Sequence, residues 1–135
     1  MITQIKKEVR LDNGIHDPLT QKIIAVCFKV HSELGPGFVE KVYHNAVKLV
    51  LEQEGLKYTT EKAYKINYGP RSIGTLRVDL IVQDEVIVEL KAVASNILPE
   101  VFKYQLLSYL KVSGLTRGLL VNFGNKSCQV KRLVN

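Results

Sequence analysis

The stretch Val78-Asp79-Leu80-Ile81-Val82-Gln83-Asp84-Glu85-Val86-Ile87-Val88-Glu89-Leu90-Lys91 decides the fold. The apolar, β-branched runs on either side of Gln83-Asp84-Glu85 read as two strands of a hairpin. Asp79, Glu89 and Lys91 are embedded in those runs, and burying an unpaired charge is expensive. Residues two apart on a strand share a face, so Glu89 and Lys91 point the same way. A three-residue loop pairs Val82 with Val86, which sets Ile81 against Ile87, Leu80 against Val88 and Asp79 against Glu89. Directly opposed residues bring their Cβ atoms to about 4.5–5.5 Å, where like charges destabilise a sheet. Lys91 offsets part of that repulsion, and a divalent cation held by oxygen ligands offsets more. A two-residue loop would slip the register by one, put the two acids on opposite faces and mismatch the apolar faces. The pattern therefore favours the register that unites the acids. The plainer alternative is a pair of surface acids with Lys91 as salt-bridge partner. Against it, Ile81, Ile87 and Val93 share that face.

Working outward, Leu76, Val78, Leu80 and Val82 alternate with Arg77, Asp79 and Ile81, giving a strand from about Gly74 to Val82. Val86 to Val93 gives its partner. Upstream, Tyr64, Ile66 and Tyr68 alternate with Lys65 and Asn67 as a strand with one wetter face, and Gly69-Pro70 is a turn. Asp17-Pro18 starts a helix, with proline where its missing N–H does no harm. Ile23, Val26, Cys27, Val30 and Leu34 follow at helical spacing, and Gly35-Pro36-Gly37 stops them. A second helix is expected from near Phe38, with Phe38, Val42, Ala46, Leu49 and Val50 as its apolar stripe and Gly55 at its end. A third runs from Pro99 to Gly114 with Phe102, Gln105, Leu106 and Tyr109 on one side. Arg117–Phe123 and Cys128–Val134 read as closing strands. The order ααβββαββ implies an α/β fold, a mixed β-sheet flanked by helices.

The length of 135 residues suits a single domain with one sizeable core, preceded by a polar lead-in over residues 1–16. No apolar run approaches the roughly 20 residues of a membrane helix, and the N-terminus lacks a secretory pattern. With two distant cysteines, Cys27 and Cys128, and no disulfide framework, a cytoplasmic chain is expected, although a Cys27–Cys128 bridge stays open. The net charge of +6 favours acidic partners, nucleic acid first. Solvated surface lysines would account for most of that charge.

Asp79, a nine-residue gap and then Glu89-Leu90-Lys91 resemble the D…ExK core of the PD-(D/E)XK nuclease superfamily. Gln105-Leu106-Leu107-Ser108-Tyr109 resembles the QxxxY motif of its RecB-like branch. Gly37-Phe38-Val39-Glu40-Lys41-Val42-Tyr43 resembles the signature of the GxxExxY family within that superfamily. The surroundings, Val30 to Gly37 and Gly118 to Phe123, are also similar to that family, and the resemblance covers roughly residues 20–134. The proline that gives the superfamily its name is replaced by Val78. The resemblance implies a restriction-endonuclease-like αβββαβ core with an extra N-terminal helix, and a Mg²⁺- (or Mn²⁺-) dependent nuclease acting on nucleic acid, DNA before RNA. It further implies that Asp79, Glu89 and the Leu90 backbone carbonyl bind the metal. Lys91 would orient the attacking water, Glu40 would reach the same cluster and support a second metal, and Gln105 and Tyr109 would hold Lys91 or a phosphate. With no recognition element beyond this core, specificity is expected from a homodimer or a partner.

Each of these residues has a plain reading too. Glu40 with Tyr43 is an exposed acid beside a half-buried ring, and Gln105 with Tyr109 marks a helix boundary. Arg77 faces either a phosphate or a carboxylate. Cys27 and His31 stand at a spacing that can bind metal but have no convergent partners. His16 and His44 have no evident partners, and Gly35-Pro36-Gly37 is a turn that aims the helix of Glu40, since no Gly-Lys-Ser/Thr follows. Two further functions compete with the nuclease: a non-catalytic nucleic-acid-binding or assembly module on the same fold, and an ordinary fold with a structural salt bridge.

Overall fold

A computed structural model describes residues 17–135. The lead-in, with Lys6, Lys7, Arg10 and His16, lies outside the described residues. Helix α1 (Pro18–Leu34) starts where Asp17 caps it, accepting the Thr20 N–H at 3.4 Å and the Thr20 hydroxyl at 2.6 Å. Gly35, at φ 72°, ends it in a conformation that favours glycine, its N–H bonded to His31 O. Helix α2 (Glu40–Gln53) follows, then strands β1 (Tyr58–Tyr68), β2 (Arg71–Val82) and β3 (Val86–Lys91), helix α3 (Glu100–Ser113), and strands β4 (Arg117–Asn122) and β5 (Gln129–Val134). The order ααβββαββ is as expected.

The five strands form one mixed sheet in sequence order. Only β3 and β4 are parallel, and α3 is the crossover between them. Leu80, Val82, Val86, Val88, Leu90, Leu119 and Val121 pack under α1 and α2. Ile81, Ile87, Leu120 and Leu133 pack under Leu106 and Leu110 of α3. Alternate side chains thus bury both faces of the central strands, which explains their nearly continuous apolar runs. Gly118 lets α3 approach: a Cβ there would lie 2.9–3.1 Å from the Leu106 side chain.

The structure corrects three expectations. Helix α2 starts at Glu40 and buries Tyr43, Val47, Val50 and Leu51, whereas Phe38, Val42 and Leu49 are exposed. The spacing of those three fits a helix, but the packed side is set by where the ring of Tyr43 meets Phe123, stacked at 4.6 Å. Strand β2 begins at Arg71, with a bulge opposite Ile66/Asn67 that lengthens the hairpin. Most important, Val78 and Leu80 do not share a face: Val78 joins the α3-side core and Leu80 the core under α1 and α2. Opposite the intervening Asp79, Glu61 adopts φ 56°, and the ladder skips this pair. The β1–β2 ribbon rotates there, so strict alternation fails at the position of greatest chemical interest.

Candidate functional site

The hairpin loop is Gln83-Asp84-Glu85, with Val82 opposite Val86 and Ile81 opposite Ile87. That is the register favoured by the sequence pattern. The ladder stops there, however, and the expected pairs Leu80/Val88 and Asp79/Glu89 are not formed. Rotation of the β1–β2 ribbon carries β2 away from β3 just before Asp79. On its other edge β3 stays paired with β4 through Lys91, whose carbonyl accepts the Phe123 N–H at 2.8 Å. Successive carbonyls on a strand point to opposite sides, so the carbonyl of Leu90 points toward the edge that β2 has left.

Glu89 is only 3% exposed, although it is a carboxylate. Burial pushes its pKa up to about 7; Lys91 pulls the other way, and the charges of Asp79 and Glu40 add to the rise. Lys91 Nζ lies 3.5 Å from Glu89 Oε2, while Glu89 Oε1 is buried without a hydrogen-bond partner. Helix α3 holds Lys91 from the other side. Gln105 Oε1 accepts from Nζ at 3.4 Å, and the ring of Phe102 lies 4.5 Å below it. The Tyr109 hydroxyl is pushed up to about 12 by burial and by the charges of Glu89 and Asp79. Asp79 itself is half-buried.

Glu40 sits exposed in the first turn of α2, with its charge felt at Glu89. The aim of α2 is fixed by Tyr43, which donates to Gly35 O at 2.5 Å and accepts the Phe38 N–H at 3.2 Å. Tyr43 is thus fully buried, rather than half-buried. The sequence reading named His44 without a partner; it lies four residues after Glu40 and on the same helical face. Burial, helped by Lys48, lowers its pKa despite the opposing charges of Asp79, Glu40 and Glu61. The i+4 spacing from Glu40 was the available signal. Phe102 was seen on the right face of α3, but its contact with Lys91 was not.

The donors are all hard oxygens, the set preferred by Mg²⁺, Mn²⁺ and Ca²⁺. The orphaned Glu89 Oε1, within reach of the charges of Asp79 and Glu40, fits a cation. Yet among the described residues no group of three His, Cys, Asp or Glu side chains is gathered closely enough to hold a metal. Like charges repel, and Glu40 and Asp79 both keep contact with solvent. Mg²⁺ is commonly held by one or two carboxylates with several waters, so the donor set fits such a site without requiring a closed cage.

His31 and Cys27 have structural roles. His31 Nε2 is 2.8 Å from Asn125 O, and Cys27 is fully buried with its thiol pushed up by burial and, less, by Cys128. Both cysteines are free. Arg77 is exposed and joins no ion pair among the described residues. Beyond Lys91, a polar lattice missed by the sequence reading anchors the chain. Asn122, fully buried, accepts the Val93 and Gly124 N–H groups and donates to Val93 O and Gln129 Oε1. Gln129 reaches Asn96 O.

No helix among the described residues is long and apolar enough to cross a membrane. No curated protein matches the chain. A solved structure described as the crystal structure of SSO0001 aligns with a TM-score of 0.58 at 22% identity, over 70% of this chain and 49% of that one. The chain spans about half the length of that protein, and the likeness concerns the fold. The five-stranded mixed sheet with its three helices is a restriction-endonuclease-like α/β fold. The family model for the PD-(D/E)XK nuclease superfamily matches residues 17–133, almost the whole chain, and the protein belongs to that superfamily.

Proposed function

We propose that the protein is a divalent-metal-dependent nuclease that hydrolyses phosphodiester bonds within a single domain, of the GxxExxY branch to which Gly37, Glu40 and Tyr43 point. The observation that carries this reading is the buried Glu89 carboxylate, raised to about 7 and left with an unpaired oxygen beside Lys91. Such a group is costly as a structural element and useful as a cation ligand. Asp79, Glu89 and the Leu90 carbonyl would hold Mg²⁺ or Mn²⁺, with Glu40 at the open side. A divalent ion bound there would acidify a water and draw charge from the phosphate oxygens.

The chain's own residues do the rest. Lys91, steadied by Gln105 and Phe102, offers a fixed positive charge where negative charge builds on the phosphate in the transition state. Its ammonium also holds the attacking water in line. Tyr109, kept protonated by burial and by the neighbouring acids, donates to a phosphate oxygen.

The test is a thermal-shift titration with Mg²⁺ and Mn²⁺, followed by a cleavage panel of supercoiled, linear, single-stranded and RNA substrates. Metal is expected to raise the melting temperature, and Asp79→Ala to abolish both the shift and cleavage. Absence of divalent-metal binding at millimolar concentration sinks the proposal. The spread of the three carboxylates favours one second reading, a non-catalytic nucleic-acid-binding module. Salt-dependent binding that survives Asp79→Ala and Lys91→Ala, with no cleavage by the parent chain, would establish it.

A further inference from the structure

The β1–β2 hairpin is longer than the sheet needs. Strand β2 meets β3 only at Ile81 and Val82, yet β1 and β2 stay paired out to Tyr68 and Arg71. Beyond Val78 each strand continues for about seven residues, a reach of roughly 23 Å at the usual rise. Only Tyr64, Ile66 and Leu76 are half-buried along this ribbon; the rest is exposed, including Tyr68 at 78% and Ile73 at 63%. Tyr64 ties the root of the ribbon to the core under α3; beyond it the arm is exposed, and since an isolated two-stranded ribbon is marginal in water, its outer part is free to take a ligand that lies along it.

Its charge says which ligand. Residues 61–77 hold Lys62, Lys65, Arg71 and Arg77 against Glu61 alone, a net +3 of the chain's +6. None of the four cations joins an ion pair among the described residues. The register distributes them over both faces. Ala63, Lys65 and Asn67 stand with Arg77, Thr75 and Ser72, and Lys62, Tyr64 and Tyr68 stand with Val78, Leu76 and Arg71. A ribbon basic on both faces suits a channel walled by phosphates on both sides. The major groove of B-form DNA admits a two-stranded ribbon, whereas that of A-form RNA is too narrow for side chains to read. The arm is also rooted at Asp79, so a duplex held along it would run to the candidate site.

From this we propose that the β1–β2 arm grips duplex DNA through its phosphates, with the ribbon in the major groove. The inference rests on the nuclease reading for the purpose of the grip, but the grip itself needs no metal and no cleavage. Binding of the 135-residue chain to a fluorescent random-sequence duplex is therefore measured in EDTA across a salt series. Lys65→Ala/Arg71→Ala, one residue from each face, is expected to weaken binding at least tenfold at about 100 mM salt. Each lost phosphate contact removes about 0.9 from the slope of log K against log salt, so the slope should flatten by about 2. Lys111→Ala/Lys126→Ala, exposed cations elsewhere, removes the same charge and should cost less than threefold with little change in slope. Lys65→Arg/Arg71→Lys should bind as the parent does. Equal losses from the arm pair and the control pair would overturn the proposal, leaving net charge alone as the cause. An RNA duplex bound as tightly as DNA would overturn the groove assignment. A change in sedimentation of the arm variant with unchanged DNA binding would make the arm a self-association surface instead. If the parent binds metal and cleaves while arm variants bind DNA normally, the arm proposal fails and the nuclease reading stands. Arm-dependent binding without metal affinity gives the converse.

Discussion

Tyr43 carries two roles in one side chain. Its ring stacks on Phe123 in the core, and its hydroxyl ties down the Gly35–Phe38 turn that aims α2 and Glu40. Tyr43→Phe keeps the ring and strips both hydrogen bonds from a buried turn. The expected loss is about 1–3 kcal/mol in urea denaturation. Tyr43→Ala, which also empties the core, should cost about 3–5 kcal/mol. If Tyr43→Phe folds as stably as the parent, the turn does not depend on it. At this scale the candidate residues were legible because charges in apolar strands are conspicuous: Glu89, Lys91 and Asp79 were all singled out, and the structure buries Glu89 next to Lys91. What was not legible was the conformation between them. A left-handed Glu61 has no sequence signature, since Glu is not a residue that favours φ > 0. It stands opposite the position where Val78 parts from Leu80, and Asp79 has no direct pairing with Glu89.

Among elements, the segment after β3 depends on the approach of two backbones. A Cβ on Gly124 would lie 2.3–2.5 Å from the N, C and O of Val93, and no rotamer change relieves a clash with main chain. The Asn122–Gln129 lattice crosses the same gap, so pushing the backbones apart also unpairs buried polar groups. Gly124→Ala is therefore expected to cost more than about 3 kcal/mol, and to raise proteolysis within residues 92–98. Gly118→Ala meets only the flexible end of Leu106 and should cost about 1–3 kcal/mol, as overpacking usually does. Equal, small losses for both would refute the distinction. Helix and strand order was legible from periodicity and from punctuation by Asp17-Pro18, Gly35-Pro36-Gly37, Gly69-Pro70 and Gly114. The packed face of α2 was not. Its exposed Val42 and Leu49 have the same helical period as its buried Tyr43, Val47 and Val50, and only tertiary contact chooses between them.

Across the whole molecule, the ion-pair network and the candidate site lie at opposite ends of the parallel pair β3–β4. The candidate site lies where β3 ends at Lys91. At the end where β4 begins, Arg117 bonds both Asp17, the cap of α1, and Glu85 in the β2–β3 turn, and Arg132 of β5 reaches Asp17 at 3.3 Å. One carboxylate thus fastens the first helix to two strands. Burial acts to raise the pKa of Asp17, but the hydrogen bonds from Arg117 and from the side chain and backbone of Thr20, with the Arg117 charge, outweigh it and hold the carboxyl well below its usual range. A folded-state pKa below the unfolded value means the unfolded chain binds the extra proton first. The contribution is therefore fully present above pH of about 4, the unfolded value, and is lost progressively as the pH falls below it. Asp17→Asn separates the charge from the cap, because Asn caps a helix as well as Asp does. At pH 7 it should cost roughly 1–3 kcal/mol, discounted from the cost of breaking a fully buried pair because Asp17 and its arginines keep some solvent contact. In chemical denaturation from pH 7 to pH 2, the gap between parent and variant should hold steady down to about pH 4 and then narrow. A gap independent of pH would show that the Asp17 charge contributes nothing. A further expectation follows from the distance between the two ends: Asp17→Asn should leave the Mg²⁺- or Mn²⁺-induced rise in melting temperature unchanged at neutral pH. Loss of that rise would mean that the ion-pair end also shapes the site, and that the two ends of the sheet are not independent.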